Sequence, residues 1–585
     1  IPKRDWSSDV CSSDLTVQVA NSVTGMVSGV ISGSYALTKG GTGTGTLSLS
    51  NANTYTGTTT ISTGTLKISN DSALGESGGT RSTTSVTAGA TLEVAGGGSL
   101  SSAEPLTING TSATNGALYF SASGTLSGTI TMGSASSVSA ASGKTGTLSG
   151  VVSGNYAFTK ADSGTLALAA DNTFAGTLTI SAGTLSVTGT GSLGAGSPNN
   201  FTSNIVNSAA FVYSSSDDQT LSGVISGTGG TVTKDTDSTS TLTLSGTNTY
   251  TGTTSISKGT VKITAADALG RSGASYSTTT VSTGATLEVA GVVTSAEPLT
   301  VSGTGASSAG AVNFSAAGTL SGTFALAADS TIQVADSTTG TISGVMSGVS
   351  MALTKTGSGT LSLSGTNTYS GATTISAGTL AVSGSGSLGS GTYSAAITNN
   401  SAFVYSSSAN QTLQTGVISG TGTLTKDTSS TSTLTLSGTN TYTGATTVSA
   451  GTLKFSNASG LGGSSSGQGT TVAAGATLEV AAAVTSAEPL TISGTGASSA
   501  GALNFSLGGT LSGTVALAAD STVQVANSVT GTVSGVISGS YALTKGGTGT
   551  GTLSLSNANT YTGTTTISSG TLKISNDSAL GESGG

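Results

Sequence analysis

The sequence predicts an all-β fold, a single-stranded parallel β-helix (solenoid), expected to be right-handed, with short strands in rungs of about 19 residues. A rung here is one complete turn of the coil. Three observations lead to this prediction: apolar residues alternate with Thr and Ser, Gly and Asn separate the alternating segments, and one apolar position returns at a fixed spacing. Alternation is typical of half-buried strands, and a fixed return is typical of stacked repeats.

The stretch 241–264 shows the alternation most clearly. Apolar and hydroxyl residues alternate in Thr241–Leu244, and again in 254–257 and 260–264. Thr, Val and Ile branch at Cβ, which suits a pleated backbone. Gly and Asn fall between these segments and tolerate the positive φ that tight bends require. We therefore expect three short strands joined by tight bends.

Six pairs of apolar residues lie 19 residues apart, and each member sits in Gly-Thr-Leu or a similar tripeptide. A hairpin-built sandwich or barrel does not require this return, whereas a coil does. Nineteen residues trace roughly 60 Å, enough for three short strands and three bends, and such rungs would number roughly thirty. The pairs expected to stack are Leu47 with Leu66, Leu166 with Leu185, Leu242 with Val261, Leu361 with Leu380, Leu434 with Leu453, and Leu553 with Leu572.

A longer period of 192 to 195 residues lies over the short one. The aromatic markers of six repeats are spaced by 119, 76, 119, 73 and 119 residues, which defines this superblock. Residues 16–585 are therefore predicted to form one continuous β-helical array. The markers are Tyr55, Phe174, Tyr250, Tyr369, Tyr442 and Tyr561.

Residues 1–15 share nothing with the repeats. They contain the only Cys (Cys11) and the only Trp (Trp6), and they resemble the conceptual translation of a short-read sequencing adapter. We expect this segment to be a non-native scar. Residues 16–79 and 522–585 match at all but two positions, at an offset that is not a multiple of the superblock. We therefore expect the sequence to be a fragment of a longer protein.

The composition excludes several classes of function. The net charge of −8 is spread without basic or acidic blocks, which predicts no nucleic-acid partner. No run of about eighteen apolar residues predicts a transmembrane helix, and no apolar segment of a signal peptide follows Arg4. The chain has no His, and no Cys after residue 15. Imidazole-dependent catalysis, imidazole metal sites, disulfides and thiolate chemistry are therefore not expected, and neither is a cofactor.

Six Lys residues are the only candidate bases for a nucleophilic Ser. They occur once per repeat, after Leu-Thr, Val-Thr or Phe-Thr. A catalytic Lys need occur only once, so we predict solvated residues at bends, and no enzyme. These residues are Lys39, Lys160, Lys234, Lys355, Lys426 and Lys545.

Each repeat also contains the pattern Asn-x-aromatic-x-Gly. Its Tyr could form an exposed row that stacks on sugar rings, but we favour a Tyr that folds over its own bend and caps the core. The Asn amide is expected to bond to the turn backbone. The predicted structural positions are Asn53, Tyr55, Gly57, Asn172, Phe174, Gly176, Asn248, Tyr250, Gly252, Asn367, Tyr369, Gly371, Asn440, Tyr442, Gly444, Asn559, Tyr561 and Gly563.

Recurring carboxylates raise the question of glycoside or uronate chemistry, which uses paired carboxylates. Because the pairs recur in every superblock and their spacing varies, a structural role is predicted instead. Asp217 and Asp218 form a single exposed pair without further ligands, and the glycine-rich stretch 41–45 has no helix after it to bind a phosphate. The recurring carboxylates are Glu93, Glu288 and Glu479, followed nine to eleven residues later by Glu104, Glu297 and Glu488.

The fourth repeat carries a family resemblance. Leu-Thr-Lys-Thr-Gly at 353–357, Asn-Thr-Tyr-Ser-Gly at 367–371 and Gly-Thr-Leu at 378–380 resemble the autotransporter-associated β-strand repeat, also called the passenger-associated transport repeat. The resemblance recurs in all six repeats. It implies the passenger of a type V secreted protein of a Gram-negative bacterium, exported through the outer membrane to the cell surface. It also implies a signal peptide, and an outer-membrane barrel in the missing C-terminal part.

The predicted function is a structural cell-surface stalk or adhesin, an extended β-helix that supports adhesion or autoaggregation without catalysis. Expected partners are a host-cell or matrix surface, a polysaccharide, or other copies of the chain. One alternative is a β-helical polysaccharide-acting enzyme, which needs a single cluster of carboxylates with Lys or Arg. After Arg4 only Arg81 and Arg271 are present. The other alternative is a passive spacer for a functional domain outside the fragment.

Overall fold

In the computed structural model the chain is a parallel β-solenoid of about 24 turns over its described residues, with 2% helix. This confirms the predicted all-β class and the coil of parallel strands. It divides into two compact units, Ile1–Glu288 and Val289–Gly585. The structure describes residues 13–75, 83–96, 100–111, 115–194, 199–235, 239–271, 278–427, 431–463, 469–547 and 549–582.

In chain order, strands β1 to β32 are Leu15–Val19, Thr24–Val27, Ser32–Gly33, Leu37–Gly41, Thr46–Leu49, Thr54–Tyr55, Thr59–Ile61, Thr65–Ile68, Thr84–Val86, Thr91–Val94, Leu100–Ser102, Leu106–Gly110, Leu118–Phe120, Gly124–Leu126, Ile130–Ala140, Thr145–Leu148, Val152–Ser153, Phe158–Ala161, Thr165–Leu168, Leu178–Ile180, Thr184–Gly189, Asn200–Phe201, Ile205–Asn207, Ala210–Ser215, Gln219–Leu221, Ile225–Ser226, Thr231–Lys234, Thr241–Leu244, Thr254–Ile256, Gly259–Ile263, Thr279–Val281 and Ala285–Val289.

Strands β33 to β65 are Val293–Ser295, Leu299–Gly303, Val312–Phe314, Gly318–Leu320, Phe324–Val334, Thr339–Ile342, Met346–Ser347, Leu353–Thr356, Thr360–Leu363, Thr373–Ile375, Thr379–Gly384, Thr392–Tyr393, Ile397–Asn399, Ala402–Ser407, Gln411–Leu413, Ile418–Ser419, Thr423–Lys426, Thr433–Leu436, Thr446–Val448, Gly451–Phe455, Thr470–Val472, Ala476–Val480, Thr485–Ser486, Leu490–Gly494, Leu503–Phe505, Gly509–Leu511, Val515–Val525, Thr530–Val533, Ile537–Ser538, Leu543–Gly546, Thr552–Leu555, Thr565–Ile567 and Thr571–Ile574. Three short 3-10 helices span Ala306–Ser308, Gly389–Gly391 and Ala497–Ser499. No helix among the described residues is long and apolar enough to cross a membrane.

The stacking register confirms the 19-residue return. All six predicted pairs lie directly opposite each other on neighbouring parallel strands, three in each unit. Along a strand, the apolar residues point inward and the hydroxyl residues outward. In β28, for example, Leu242 and Leu244 are buried while Thr241 and Thr243 are half-buried. Burying each such Leu contributes about 1.5–3 kcal/mol.

Rungs outside the recognisable repeats are longer than predicted. Leu66 pairs with Leu92, and Leu92 with Leu118, each step being 26 residues. The estimate of roughly thirty rungs was therefore too high, and about 24 turns are present in the described chain. The additional residues lie in the bends between strands, which do not have to keep the strand register.

Successive repeats of the first unit lie on different faces of the solenoid. Lys160 on β18 belongs to a column that leads through β15, β13, β10 and β8 to Leu47 on β5. Its counterpart Lys39 lies on β4, the preceding strand of that rung. Lys234 on β27 likewise stacks over Leu168 on β19, the strand after Lys160. Each repeat is therefore displaced by one face from the repeat before it.

The first residues need a separate note. Residues 1–12 of the expected scar lie outside the described part, together with Trp6 and Cys11, and so does Arg81. Leu15, the last residue of that segment, begins β1 and pairs with Leu37 on β4.

Candidate functional site

The six Asn residues of the repeat pattern are buried at bends. Asn53 Oδ1 accepts a hydrogen bond from the backbone N of Ile31 at 2.9 Å, in the preceding rung. Its Nδ2 donates to the backbone O of Ala73 at 2.7 Å, in the following rung. Because a buried amide costs free energy when it is unpaired, these bonds tie three rungs together. The same two-sided bonding occurs at Asn172, Asn248, Asn367, Asn440 and Asn559.

The five Tyr residues of the pattern are also buried, with at most 2% of their surface exposed. Each phenol shares a hydrogen bond of 2.6–2.8 Å with the Thr hydroxyl four residues later, as Tyr55 does with Thr59. Phe174 has no hydroxyl and instead packs between Phe158 and Phe201, at ring-centroid distances of 5.4 and 5.5 Å. None of these rings is available to stack on a ligand.

The Gly of the pattern lies where two rungs approach most closely. A Cβ on Gly57 would lie 2.0 Å from the backbone O of Tyr35 in the preceding rung. A Cβ on Gly371 would lie 2.2 Å from the backbone O of Met351. Real Cβ atoms do not approach that closely, so only Gly fits. Equally close approaches exist at Gly176, Gly252, Gly444 and Gly563.

The prediction that the six Lys residues are solvated was wrong, because all six are at most 1% exposed. Lys355 Nζ donates to the backbone oxygens of Thr356, Gly357 and Ala377 at 2.8, 2.7 and 3.2 Å. The strand alternation gives the reason. In Leu-Thr-Lys the Lys points to the same inner side as the Leu, and its ammonium group reaches the carbonyl groups of the bend. Lys39, Lys160, Lys426 and Lys545 also donate to bend carbonyls.

Burial changes the protonation of these lysines. It lowers the pKa of Lys160, Lys355 and Lys426 to about 8, and it lowers the pKa of Lys39 and Lys545 as well. At Lys160 the charge of Asp162 partly opposes this effect. Five of the six lysines therefore have shifted pKa values, yet their buried ammonium groups bond only to structural carbonyls.

Two of the lysines also contact aromatic rings. Lys234 Nζ lies 5.7 Å from the ring centroid of Tyr213, and Lys426 Nζ lies 5.9 Å from that of Tyr405. In both cases the Tyr is the residue directly opposite the Lys on the neighbouring strand. The attraction between cation and ring stabilises the stack. Sequence reasoning missed this pair, although the 21-residue spacing from Tyr to Lys occurs twice.

The carboxylates of the superblocks occupy two different environments. Glu93, Glu288 and Glu479 are on the outer side and pair with Lys67, Lys262 and Lys454 at 3.2, 3.3 and 3.0 Å. By contrast, Glu104, Glu297 and Glu488 are buried. Glu104 and Glu488 accept hydrogen bonds from Thr84 and Thr470 at 3.1 and 3.0 Å. The two carboxylates of each superblock thus have separate partners.

The remaining candidate residues are also part of the scaffold. Asp218 Oδ1 accepts a hydrogen bond from the backbone N of Thr241 at 2.7 Å, and the backbone O of Asp217 accepts one from the Tyr213 phenol at 2.6 Å. Gly41 and Gly43 have φ values of 121° and 76° in the bend between β4 and β5. Within the described ranges, no group of three acidic, His or Cys residues is placed to hold a metal ion.

Sequence reasoning missed a buried Gln and an exposed Tyr. Gln219 pairs with both the N and the O of Leu193, at 2.6 and 3.2 Å, and Gln411 does the same with Leu388. Tyr35, Tyr156 and Tyr541 are 42%, 46% and 44% exposed. The signal that could have identified these tyrosines is their constant position, four residues before the conserved Lys of three repeats.

Comparison with known families gives one result. The sequence model described as the passenger-associated-transport-repeat matches six segments: residues 37–68, 158–187, 237–263, 353–382, 429–455 and 543–574. Each segment contains one buried Lys and one of the 19-residue stacking pairs described above. Searches of curated proteins and of solved structures gave no match.

Proposed function

Given that this chain carries six passenger-associated-transport repeats on a parallel β-solenoid, we propose that it is a stalk or adhesin that acts in adhesion or autoaggregation without catalysis. The repeats and the solenoid fit an autotransporter passenger, and this family implies secretion to the cell surface. The proposal goes further by assigning the mechanical role to the stacked rungs and the contact role to their outer surface.

The carrying observation is that the recurring polar side chains are spent on stacking. Each Asn bonds to neighbouring rungs, each buried Tyr bonds to a Thr, and each buried Lys for which the bonds are described donates to bend carbonyls. Polar groups that are buried and satisfied fix a unique register. The repeat pattern therefore supports a rigid scaffold more directly than a reaction.

The outer surface favours weak contacts that occur many times. Hydroxyl residues stack in register along one side of the first unit, and they are half-buried or exposed. Stacked rungs repeat about every 4.8 Å, so a partner would meet equivalent groups at regular intervals, and repetition multiplies weak affinities. This row consists of Thr16, Thr38, Thr60, Ser85, Thr107, Thr131 and Ser153.

A polysaccharide-acting enzyme is the less favoured candidate. Such an enzyme needs carboxylates that face one substrate. Here Glu93 pairs with Lys67 on the outer side, whereas Glu104 is buried and accepts a bond from Thr84. Turnover of an acidic polysaccharide by the purified chain would contradict the proposal.

The direct test is surface display of the full chain on bacterial cells that do not clump. We expect displaying cells to aggregate or to adhere to a matrix-coated surface more than cells that display a scrambled linker of equal length. A display level confirmed by antibody, without any gain in clumping or adhesion, would contradict the proposal and favour a passive spacer.

A further inference from the structure

The chain has two populations of tyrosine at its bends. The tyrosines of the Asn-x-Tyr-x-Gly pattern are buried. Tyr35, Tyr156 and Tyr541 are instead 42–46% exposed, and their hydroxyl groups have no partner among the described residues. They lie in the bends that precede β4, β18 and β62. An aromatic ring held at a bend with a free polar tip is suited to contact with a ligand that is both apolar and polar.

The rung that follows leaves these bends open. Gly57, Gly176 and Gly563 lie next to Tyr35, Tyr156 and Tyr541, with an added Cβ only 2.0–2.2 Å from the tyrosine backbone O. Because these glycines have no side chain, the following rung places no side chain over the bend. The stacking constraint that requires Gly therefore also leaves space beside the aromatic ring.

The charge near these bends favours an uncharged ligand. Asp520 Oδ1 accepts a hydrogen bond from the backbone N of Ala542, the residue after Tyr541, at 2.9 Å. Asp14 does the same for Ala36 after Tyr35, at 3.0 Å. The conserved Lys nearby is buried and donates to backbone oxygens. A carboxylate at this position repels anionic sugars, while its oxygen lone pairs can accept bonds from sugar hydroxyls.

We propose that Tyr35, Tyr156 and Tyr541 are stacking platforms for the pyranose rings of an uncharged polysaccharide. The apolar C–H face of a pyranose packs on the phenol ring, and its hydroxyls meet Ser34, Asn155 and Ser540, the exposed residues that precede the three tyrosines. This inference rests on the proposed adhesin function and names its partner class.

The platforms of the first unit face different directions. Tyr35 and Tyr156 lie four residues before Lys39 and Lys160, and these two lysines occupy different columns of the solenoid. One straight polysaccharide strand therefore cannot stack on both rings. The first unit binds two strands, or one strand that wraps around it, and so acts as a cross-link.

The other repeats provide an internal comparison. The equivalent position is Met351 in the fourth repeat, and Gly230 and Gly422 in the third and fifth. The bend thus tolerates a flexible apolar side chain or none. Replacement of the exposed tyrosines should consequently leave the fold intact.

The test is affinity electrophoresis of the full chain in native gels that contain dextran, amylose or hydroxyethyl cellulose, with polygalacturonate as the anionic comparison. We expect at least one uncharged polymer to retard the wild type, and polygalacturonate to have no effect. The variant Tyr35→Ala/Tyr156→Ala/Tyr541→Ala should bind about tenfold more weakly. The variant Val349→Ala/Met351→Ala, which alters an exposed apolar bend, should bind like the wild type.

Circular dichroism spectra and melting temperatures establish that all variants fold alike. Equal retardation of the tyrosine variant and the wild type would overturn the proposal, and so would retardation by polygalacturonate alone. If no uncharged polymer binds while the wild type sediments as oligomers that the tyrosine variant does not form, the rings contact a second copy of the chain, and the polysaccharide assignment fails. Clumping of displaying cells in that case would leave the adhesin function standing.

Discussion

The hydroxyl of Thr470 donates a hydrogen bond to Oε1 of Glu488 at 3.0 Å inside the solenoid. Thr470 stacks on Thr446, whose hydroxyl bonds to the Tyr442 phenol at 2.7 Å. The first superblock has the same series in Tyr55, Thr59, Thr84 and Glu104. Buried polar groups thus form a line across several rungs, and their protonation affects stability.

Glu488 should make stability depend on pH. Burial raises the pKa of its carboxyl group from 4.5 to about 7, although the hydrogen bond from Thr470 opposes the rise. The folded state therefore holds the proton more tightly than the unfolded state. Its contribution is fully present below pH 4.5 and is lost as the pH rises through about 7. Thermal melts between pH 4.5 and 8 should show this decline. Glu488→Gln should reduce it, whereas Glu479→Gln, on the outer side, should leave it unchanged.

Lys355→Met should destabilise the second unit by about 1–3 kcal/mol, because three bend carbonyls lose a charged donor. Hydrogen exchange of the amides around residues 356–377 measures the local effect. Lys258 is exposed, so Lys258→Met is the matched control and should exchange like the wild type. Equal protection in both variants would contradict the structural role of the buried ammonium.

Leu244→Asp should cost several kcal/mol locally, since it places a carboxyl group without partners between stacked rungs. Thr243→Asp introduces the same group on the outer side of the same strand and should cost little. Limited proteolysis distinguishes the two variants. If both were cleaved at the same rate, the inward and outward assignments in β28 would be wrong.

Gly371→Ala should destabilise the stack by about 1–3 kcal/mol, because its Cβ would lie 2.2 Å from backbone atoms of Met351. Gly508 offers a control, since an added Cβ there meets only the backbone O of Thr530 at 3.4 Å. Denaturant titration of both variants measures the difference. A Gly371→Ala protein as stable as Gly508→Ala would refute the close-approach explanation.

Much of the fold was predictable because alternation and spacing act locally. Leu47 and Leu66 were placed in register from their spacing alone. The 26-residue step from Leu66 to Leu92 was not predictable, because bends vary in length without affecting the strand pattern. The error on Lys355 came from treating charge as a sign of exposure, although its place in Leu-Thr-Lys indicates the inner side.

The candidate ligand surface was less predictable than the fold. Tyr55 and Tyr35 lie in the same repeat and are both aromatic residues near Gly and Ser. Their exposure differs because the Tyr55 phenol finds a Thr hydroxyl within the core, whereas Tyr35 lies in the bend between β3 and β4. Only the stacking of neighbouring rungs separates these two environments.

The one-face displacement between repeats has a genetic consequence. Near-identical repeats in a gene recombine readily, and each event adds or removes a whole repeat rather than a whole turn of the solenoid. Within the first unit, loss of the residues between Lys39 and Lys160 would join strands whose columns differ. All residues beyond the junction would then rotate by a third of a revolution. A change in copy number therefore alters the direction in which the surviving bends point, as well as the length of the protein.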